Sequence, residues 1–295
     1  MIFRPDRLGL IGFFLVFLLS FAFHGLVGND ETVSRPRKDA QIRRPSVKQV
    51  MPSRRPPPAT PSGVLPPAST NDPAVQIADR KKGNSTGTAF SIGDGMWMTA
   101  RHVLEGCKTY GIVTGRKKVE RGYQRILNPN HDLATFETKR RSAALSFDKT
   151  GLSQDQDAFH FGYPQGKPVD LRSRLLGRMN VVHGRDHRSK EPVIAWAEVK
   201  RVPNISGSLG GISGGPVVDA KGDVIGVTVA GSPRRGRVFT TAPTGLKHML
   251  DMAGATAREP SRRTINDVVE PGSFPKIGAV LRHNLTVAKV ICWVG

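Results

Sequence analysis

The chain has 295 residues, 44 Lys and Arg against 24 Asp and Glu, a formal net charge of +20, 6% aromatic residues and two cysteines. Once the apolar and proline-rich amino-terminal stretches are set aside, about 180–220 residues remain, enough for one ordinary core or two small lobes sharing an interface. The charge alone would suit nucleic acid, but no DNA-binding motif and no interleaving of basic and aromatic residues accompanies it, so no nucleic-acid partner is expected.

Arg4 and Arg7 precede a nearly unbroken apolar run over 8–27, long enough to cross a bilayer as a helix. No small-x-small cleavage site follows it, so 1–27 is read as a retained membrane anchor, with a cleaved signal segment as the alternative. Its place at the start of the chain reads as an export signal, which puts the large domain on the extracytoplasmic, periplasmic side. Residues 28–78 combine Pro52, Pro56-Pro57-Pro58, Pro61 and Pro66-Pro67 with basic pairs and few large apolar residues. Such a stretch cannot bury enough surface to fold and is expected to be a disordered, partly extended linker.

Beyond it, short Val/Ile/Thr-rich runs alternate with glycine-containing turns, the pattern of many short strands, with no internal repeat. Thr86-Gly87-Thr88-Ala89-Phe90-Ser91-Ile92 leads to Met96-Trp97-Met98-Thr99-Ala100-Arg101-His102-Val103-Leu104. About thirty residues later comes His131-Asp132-Leu133-Ala134-Thr135-Phe136, and about eighty after that Gly210-Gly211-Ile212-Ser213-Gly214-Gly215-Pro216-Val217. A serine in a glycine-rich loop is a weak signal alone. Preceded by a histidine and an aspartate in this order, it matches one of the known orders of a catalytic triad.

Those motifs carry a resemblance to the trypsin-like (chymotrypsin-fold) serine peptidases, and to their bacterial HtrA-like members, over roughly 84–250. The resemblance implies an all-β fold of two six-stranded antiparallel barrels with the cleft between them. The domain is then 79–255, with lobes at about 84–153 and 157–254, the run at 245–252 forming a short closing helix. His102 would be the general base, Asp132 its orienting carboxylate and Ser213 the nucleophile. The N–H groups of Gly211 and Ser213 would form the oxyanion hole. Gly207 would floor the specificity pocket, with Val229, Ala230 and Gly231 as its wall. None of these carries an acid, so a small or medium apolar side chain is expected before the scissile bond. Ile212 stands where the digestive branch has an aspartate, so control would come by another route, such as loop ordering or substrate contact.

The expected activity is a serine endopeptidase acting on envelope or secreted proteins and peptides, with no cofactor. The alternative is a protease-like module that binds peptides without cutting them. Cys107 and Cys292 are expected to pair as a disulfide in an oxidising compartment, tying the tail to the first lobe, and to be unrelated thiols in the cytosol. The tail, 256–295, is read as an extension packed on the protease as an extra edge, with 279–281 and 285–292 as strands too short for a PDZ domain. His183 and His187 have a helical metal-ligand spacing, but Gly184 and Arg185 between them read as loop, and no metal site is expected. The sequence leaves the oligomeric state open.

Overall fold

In the computed structural model, residues 63–77, 83–183, 190–232, 236–255 and 264–295 are described. The chain divides into two units, 1–55 and 56–295, and the account below concerns the second. The apolar run at 8–27 and the linker through residue 62 lie outside the described residues. Among the described residues no helix is long and apolar enough to cross a membrane.

Among the described residues, fourteen strands fill two sheets. The first strand, β1 (Ala74–Ile77), is followed by β2 (Ser85–Gly93), β3 (Met96–Thr99), a single helical turn α1 (Arg101–Leu104), β4 (Thr109–Gly115), β5 (Lys118–Arg121), β6 (Tyr123–Leu127) and β7 (Ala134–Glu137). Then come β8 (Asp157–Gly162), the long hairpin β9 (Val169–His183) and β10 (Lys190–Val202), β11 (Pro216–Val218), β12 (Val224–Ser232) and β13 (Arg237–Thr241). Two helices, α2 (Pro243–Met252) and α3 (Phe274–His283), precede the last strand, β14 (Val287–Trp293).

The later strands form the closed barrel the resemblance implies. Their order is β9-β10-β13-β12-β11-β8, and β8 pairs back onto β9, so all six are hydrogen-bonded on both sides. β-Bulges at Ala195/Trp196 and Glu198/Lys200 interrupt the register of the β9–β10 hairpin, the kind of irregularity that bends and twists a strand pair. Trp196 is almost wholly buried, packed with Ala158, Ile194, Val217 and Ile225 of the same barrel.

The earlier strands do not close. They form an open seven-stranded sheet, β5-β4-β14-β2-β3-β7-β6, curled into a half-barrel. Two expectations are thereby corrected. The first lobe is not a six-stranded barrel, and the tail is not an added edge. β14 lies in the interior of the sheet, paired antiparallel to β2 (Val290 with Gly87) and to β4 (Val290 with Ile112). Its Val287, Ala288, Val290 and Cys292 are buried.

Two further readings change. Residues 279–281, expected as strand, belong to α3, whose first turn carries a proline, a position where its missing N–H costs nothing. The last part of the presumed linker is ordered against the barrel. β1 adds in parallel to β9, pairing Ala74 with Asn180 and Ile77 with His183. Leu65 is buried beside Leu152 and Ile225, with its N–H bonded to the Leu152 carbonyl at 2.7 Å.

One apolar cluster joins the sheets. Phe90, Met98 and Leu133 of the first lobe meet Phe159, Phe161 and Val227 of the second, with Leu246 and Met249 of α2 and Phe274 and Leu281 of α3. Burying each such side chain contributes about 1.5–3 kcal/mol, so the two helices fasten the lobes together. The Sγ atoms of Cys107 and Cys292 are bonded, joining the loop after α1 to the end of β14.

Candidate active site

The turn α1 follows β3 directly. Val103 and Leu104 are buried in the half-barrel's core, so burial of its neighbours fixes the turn that carries His102. That residue is held at two points by Asp132. Its backbone N–H donates to Asp132 Oδ1 at 2.9 Å, and its Nδ1 lies 2.5 Å from Asp132 Oδ2. An acceptor-only carboxylate on Nδ1 selects the tautomer with the proton there, which leaves a lone pair on Nε2. Nε2 is buried with no hydrogen-bond partner among the described residues.

Asp132 owes its place to a turn organised by Asn128, whose Oδ1 accepts the N–H groups of Asn130 and His131 at 3.0 and 3.1 Å. The Asp132 N–H in turn donates to Glu191 Oε1 at 2.7 Å. Glu191 is nearly buried and sits on β10, so the closed barrel reaches across to hold the aspartate of the open sheet. His131 packs beside this pair, its Nδ1 4.0 Å from Glu191 Oε1, and its ring meets that of His248 edge-on at 6.0 Å. Burial chiefly holds the His131 pKa below its ordinary value. Glu191 opposes that shift, and His248 and Arg101 reinforce it.

Ser213 lies on the loop before β11 and is 3% exposed. The loop is moored to both sheets. The Ser213 carbonyl accepts the Thr88 N–H at 2.8 Å, and the Gly214 N–H donates to the Thr228 carbonyl at 2.7 Å. Gly214 has φ +87°, and a Cβ there would run into the Thr88 carbonyl and come within 3.0 Å of the Ala100 N, just before α1. This close approach sets the Ser213 loop against the segment bearing His102. The Ser213 hydroxyl donates to the Val229 carbonyl at 3.3 Å.

Gly211 has φ +101°, and a Cβ there would lie 2.5 Å from the Tyr163 carbonyl oxygen. The Gly210 carbonyl accepts the Gln165 N–H at 2.6 Å. Because N–H and C=O point opposite ways across a trans peptide, this bond turns the Gly211 N–H away from Gln165. The Thr88 hydroxyl donates to the Gly211 carbonyl at 2.8 Å, and the Thr88 Oγ1 accepts the Tyr163 N–H at 3.1 Å. Val229 and Ala230 are buried, whereas Gly231 and Gly207 are exposed. Leu209 Cδ1 lies 3.0 Å from the Cβ position of Gly231.

Residues 87–227, from β2 into β12, match the family model of the trypsin-like peptidase domain. Over that span the chain is similar to a trypsin-like peptidase domain. The matched span includes His102, Asp132 and Ser213 but neither α3 nor β14, and β14 comes from outside it to complete the first sheet. Similar solved structures include the active form of the Rv3671c protease from M. tuberculosis, 18% identical, covering 70% of this chain and 99% of that one with a TM-score of 0.49. The apo MamO protease domain from Magnetospirillum magneticum is 19% identical, with 58% and 92% covered and a TM-score of 0.43. The HtrA-type protease AlgW with a decapeptide is 21% identical, with 57% and 51% covered and a TM-score of 0.44. Among curated proteins none matches the chain.

The site also brings in residues the motifs did not single out. Glu191 and Gln165 stand outside the motifs, and only folding brings them to the site, while His131 opens the aspartate motif with no local sign of its place beside Glu191. Thr88 sits inside a motif, yet nothing local reveals that its hydroxyl bridges two loops. His183 ends β9 and His187 lies outside the described residues. Among the described residues no group of three or more His, Cys, Asp or Glu could hold a metal ion.

Proposed function

We propose that the domain is a serine endopeptidase that hydrolyses peptide bonds through His102, Asp132 and Ser213. The observation that carries the reading is the doubly held His102–Asp132 pair, set by close backbone approach against the Ser213 loop. His102 Nε2 takes the proton from the Ser213 hydroxyl as its oxygen attacks the scissile carbonyl. Asp132 keeps the imidazole in the required tautomer and stabilises its protonated form. The N–H groups of Gly211 and Ser213 receive the oxyanion, each such donor contributing about 2.7–4 kcal/mol of transition-state stabilisation. Collapse of the tetrahedral intermediate passes the proton from Nε2 to the leaving amine and leaves an acyl-enzyme. Water, activated by the same histidine, then hydrolyses the ester.

Gly207 places no charge at the pocket floor, and Leu209 lies against Gly231, which supports a small or medium apolar residue before the cleaved bond. The Cys107–Cys292 bond supports work in an oxidising compartment, and the apolar run at 8–27 supports a membrane anchor with the domain outside the cytoplasm. Envelope or secreted proteins are then the substrates.

One observation favours a second reading, a peptide-binding module without turnover: the Ser213 hydroxyl faces the Val229 carbonyl while Nε2 has no partner among the described residues. Cleavage of a peptide library separates the two. The endopeptidase reading expects turnover that Ser213→Ala abolishes, with apolar residues enriched before the cut. Peptides that bind but remain intact on the wild-type chain would establish the other.

A further inference from the structure

We propose that Gln165 is a positioning residue that clasps the strand of chain leading into the oxyanion hole and fixes its orientation for turnover. The inference rests on the endopeptidase reading and adds to it a part of the machinery outside the three motifs.

Every carbonyl from Ile205 to Gly211 is held by a donor. Gln165 supplies three of these bonds. Its Nε2 donates to the Ser206 and Ser208 carbonyls at 3.1 and 3.0 Å, and its backbone N–H to the Gly210 carbonyl at 2.6 Å. Arg201 takes the intervening positions, donating to the Ile205 carbonyl at 2.9 Å and the Gly207 carbonyl at 3.4 Å. It is itself aimed by a two-point pair with Glu198. The Leu209 carbonyl accepts the Ile212 N–H, and the Gly211 carbonyl accepts the Thr88 hydroxyl. A glycine-rich segment has the freedom to flip its peptides. A flipped peptide would put a carbonyl where the oxyanion needs an N–H. With each carbonyl already committed, a flip must break a bond.

Gln165 bears a conformational cost for this role. Its φ and ψ are +53° and +27°, the left-handed region that glycine occupies freely and a long side chain does not. Strain of this kind persists where the surroundings over-determine it and is concentrated at functional sites. The side chain is exposed, so core packing does not account for it. The two carbonyl bonds do, and two acceptors at one end of the amide also settle which end bears the nitrogen.

The test uses Gln165→Gly, which relieves the backbone strain and removes the side-chain donors, and Gln165→Glu, which keeps the shape but replaces the donating amide with an acceptor. Both leave the main-chain bond to Gly210 available. The proposal expects both variants to melt close to wild type. It expects kcat to fall about ten- to a hundredfold with KM changed less than about threefold, the signature of a group that acts in the transition state. Affinity for a peptide aldehyde, whose hemiacetal oxygen uses the oxyanion hole, should fall in step with kcat. Amide hydrogen exchange over 206–211 should quicken. If Gln165→Glu fails to fold, Gln165→Gly decides alone. A kcat within about twofold of wild type, or unchanged exchange over 206–211, overturns the proposal. A folded wild-type chain without turnover would overturn the endopeptidase reading instead, and exchange would still decide whether Gln165 holds the loop.

Discussion

The two lobes solve the same problem by different means. The second closes on itself, so each strand of the β8–β13 barrel has two neighbours, and the serine loop rises from a frame without free edges. The first stays open at β5 and β6 and is completed by a strand from the end of the chain, placed between β2 and β4 and bonded through Cys292 to the loop beyond His102. Ser213 therefore stands on a self-contained support. His102 and Asp132 stand on one assembled from distant parts and braced from outside by Glu191 of the barrel.

The sharpest way to probe that contrast is Asp132→Asn. If the open sheet's part is to orient His102, the change should lower kcat by about 10⁴-fold while the fold is kept, because the amide favours the wrong tautomer. Steady-state peptide hydrolysis with a parallel melting curve checks it. Next in size is the Cys107→Ser, Cys292→Ser pair. The residues are 185 apart in sequence, and a closure this long contributes up to about 5 kcal/mol in the chain-entropy model. Denaturant unfolding should show the loss. Hydrogen exchange should show β2, β4 and β14 losing protection before β11–β13. Simultaneous loss in both lobes would break the comparison.

Arg282→Ala tests how the tail is tied to the barrel. Arg282 on α3 makes a two-point ion pair with Asp170 on β9, at 2.6 and 2.8 Å. Burial pushes the Asp170 pKa up and Arg282 pulls it back. Leaving that carboxylate buried without its partner should cost about 3–5 kcal/mol, measured by chemical denaturation. Arg282→Met with Asp170→Leu should recover most of it.

The smallest effect belongs to the closed barrel alone. His160 is fully buried, bonded through Nε2 to Ser173 Oγ at 2.6 Å and through Nδ1 to Thr228 Oγ1 at 3.2 Å. Burial lowers its pKa from 6.5 to about 3. The unfolded chain takes up that proton as pH falls through 6.5, and the folded chain does not until about 3. Stability is therefore lost on acidification across that window, by about 2 kcal/mol at pH 5. His160→Gln should flatten this part of the stability–pH curve.

What the sequence revealed was local. The histidine, aspartate and serine motifs each announce themselves within a few residues, because a tight glycine turn or a helical turn after a strand has a short-range signature. The runs that became β8, β11 and β12 were legible for the same reason. The half-barrel was not, since the partner that completes it joins Val290 to Gly87 across about 200 residues, and no local pattern encodes such a pairing. Residues 279–281 misled because three apolar residues fit a strand as well as one face of a helix, and Pro275 in the first turn was the better clue. Residues 63–77 look like linker by composition, yet Leu65, Val75 and Ile77 find apolar surface that only the folded barrel provides. Glu191 meets the Asp132 N–H and Gln165 the Ser206, Ser208 and Gly210 carbonyls, backbone contacts that leave no motif in the sequence.

The central claim, that His102 and Asp132 make the Ser213 oxygen a nucleophile, is tested most directly by a fluorophosphonate, whose fluoride is displaced only by an activated hydroxyl. Mass mapping should find one adduct per chain, on Ser213, and none on folded His102→Ala or Ser213→Ala. A folded wild-type chain that stays unlabelled, or carries the adduct on another residue, would contradict it.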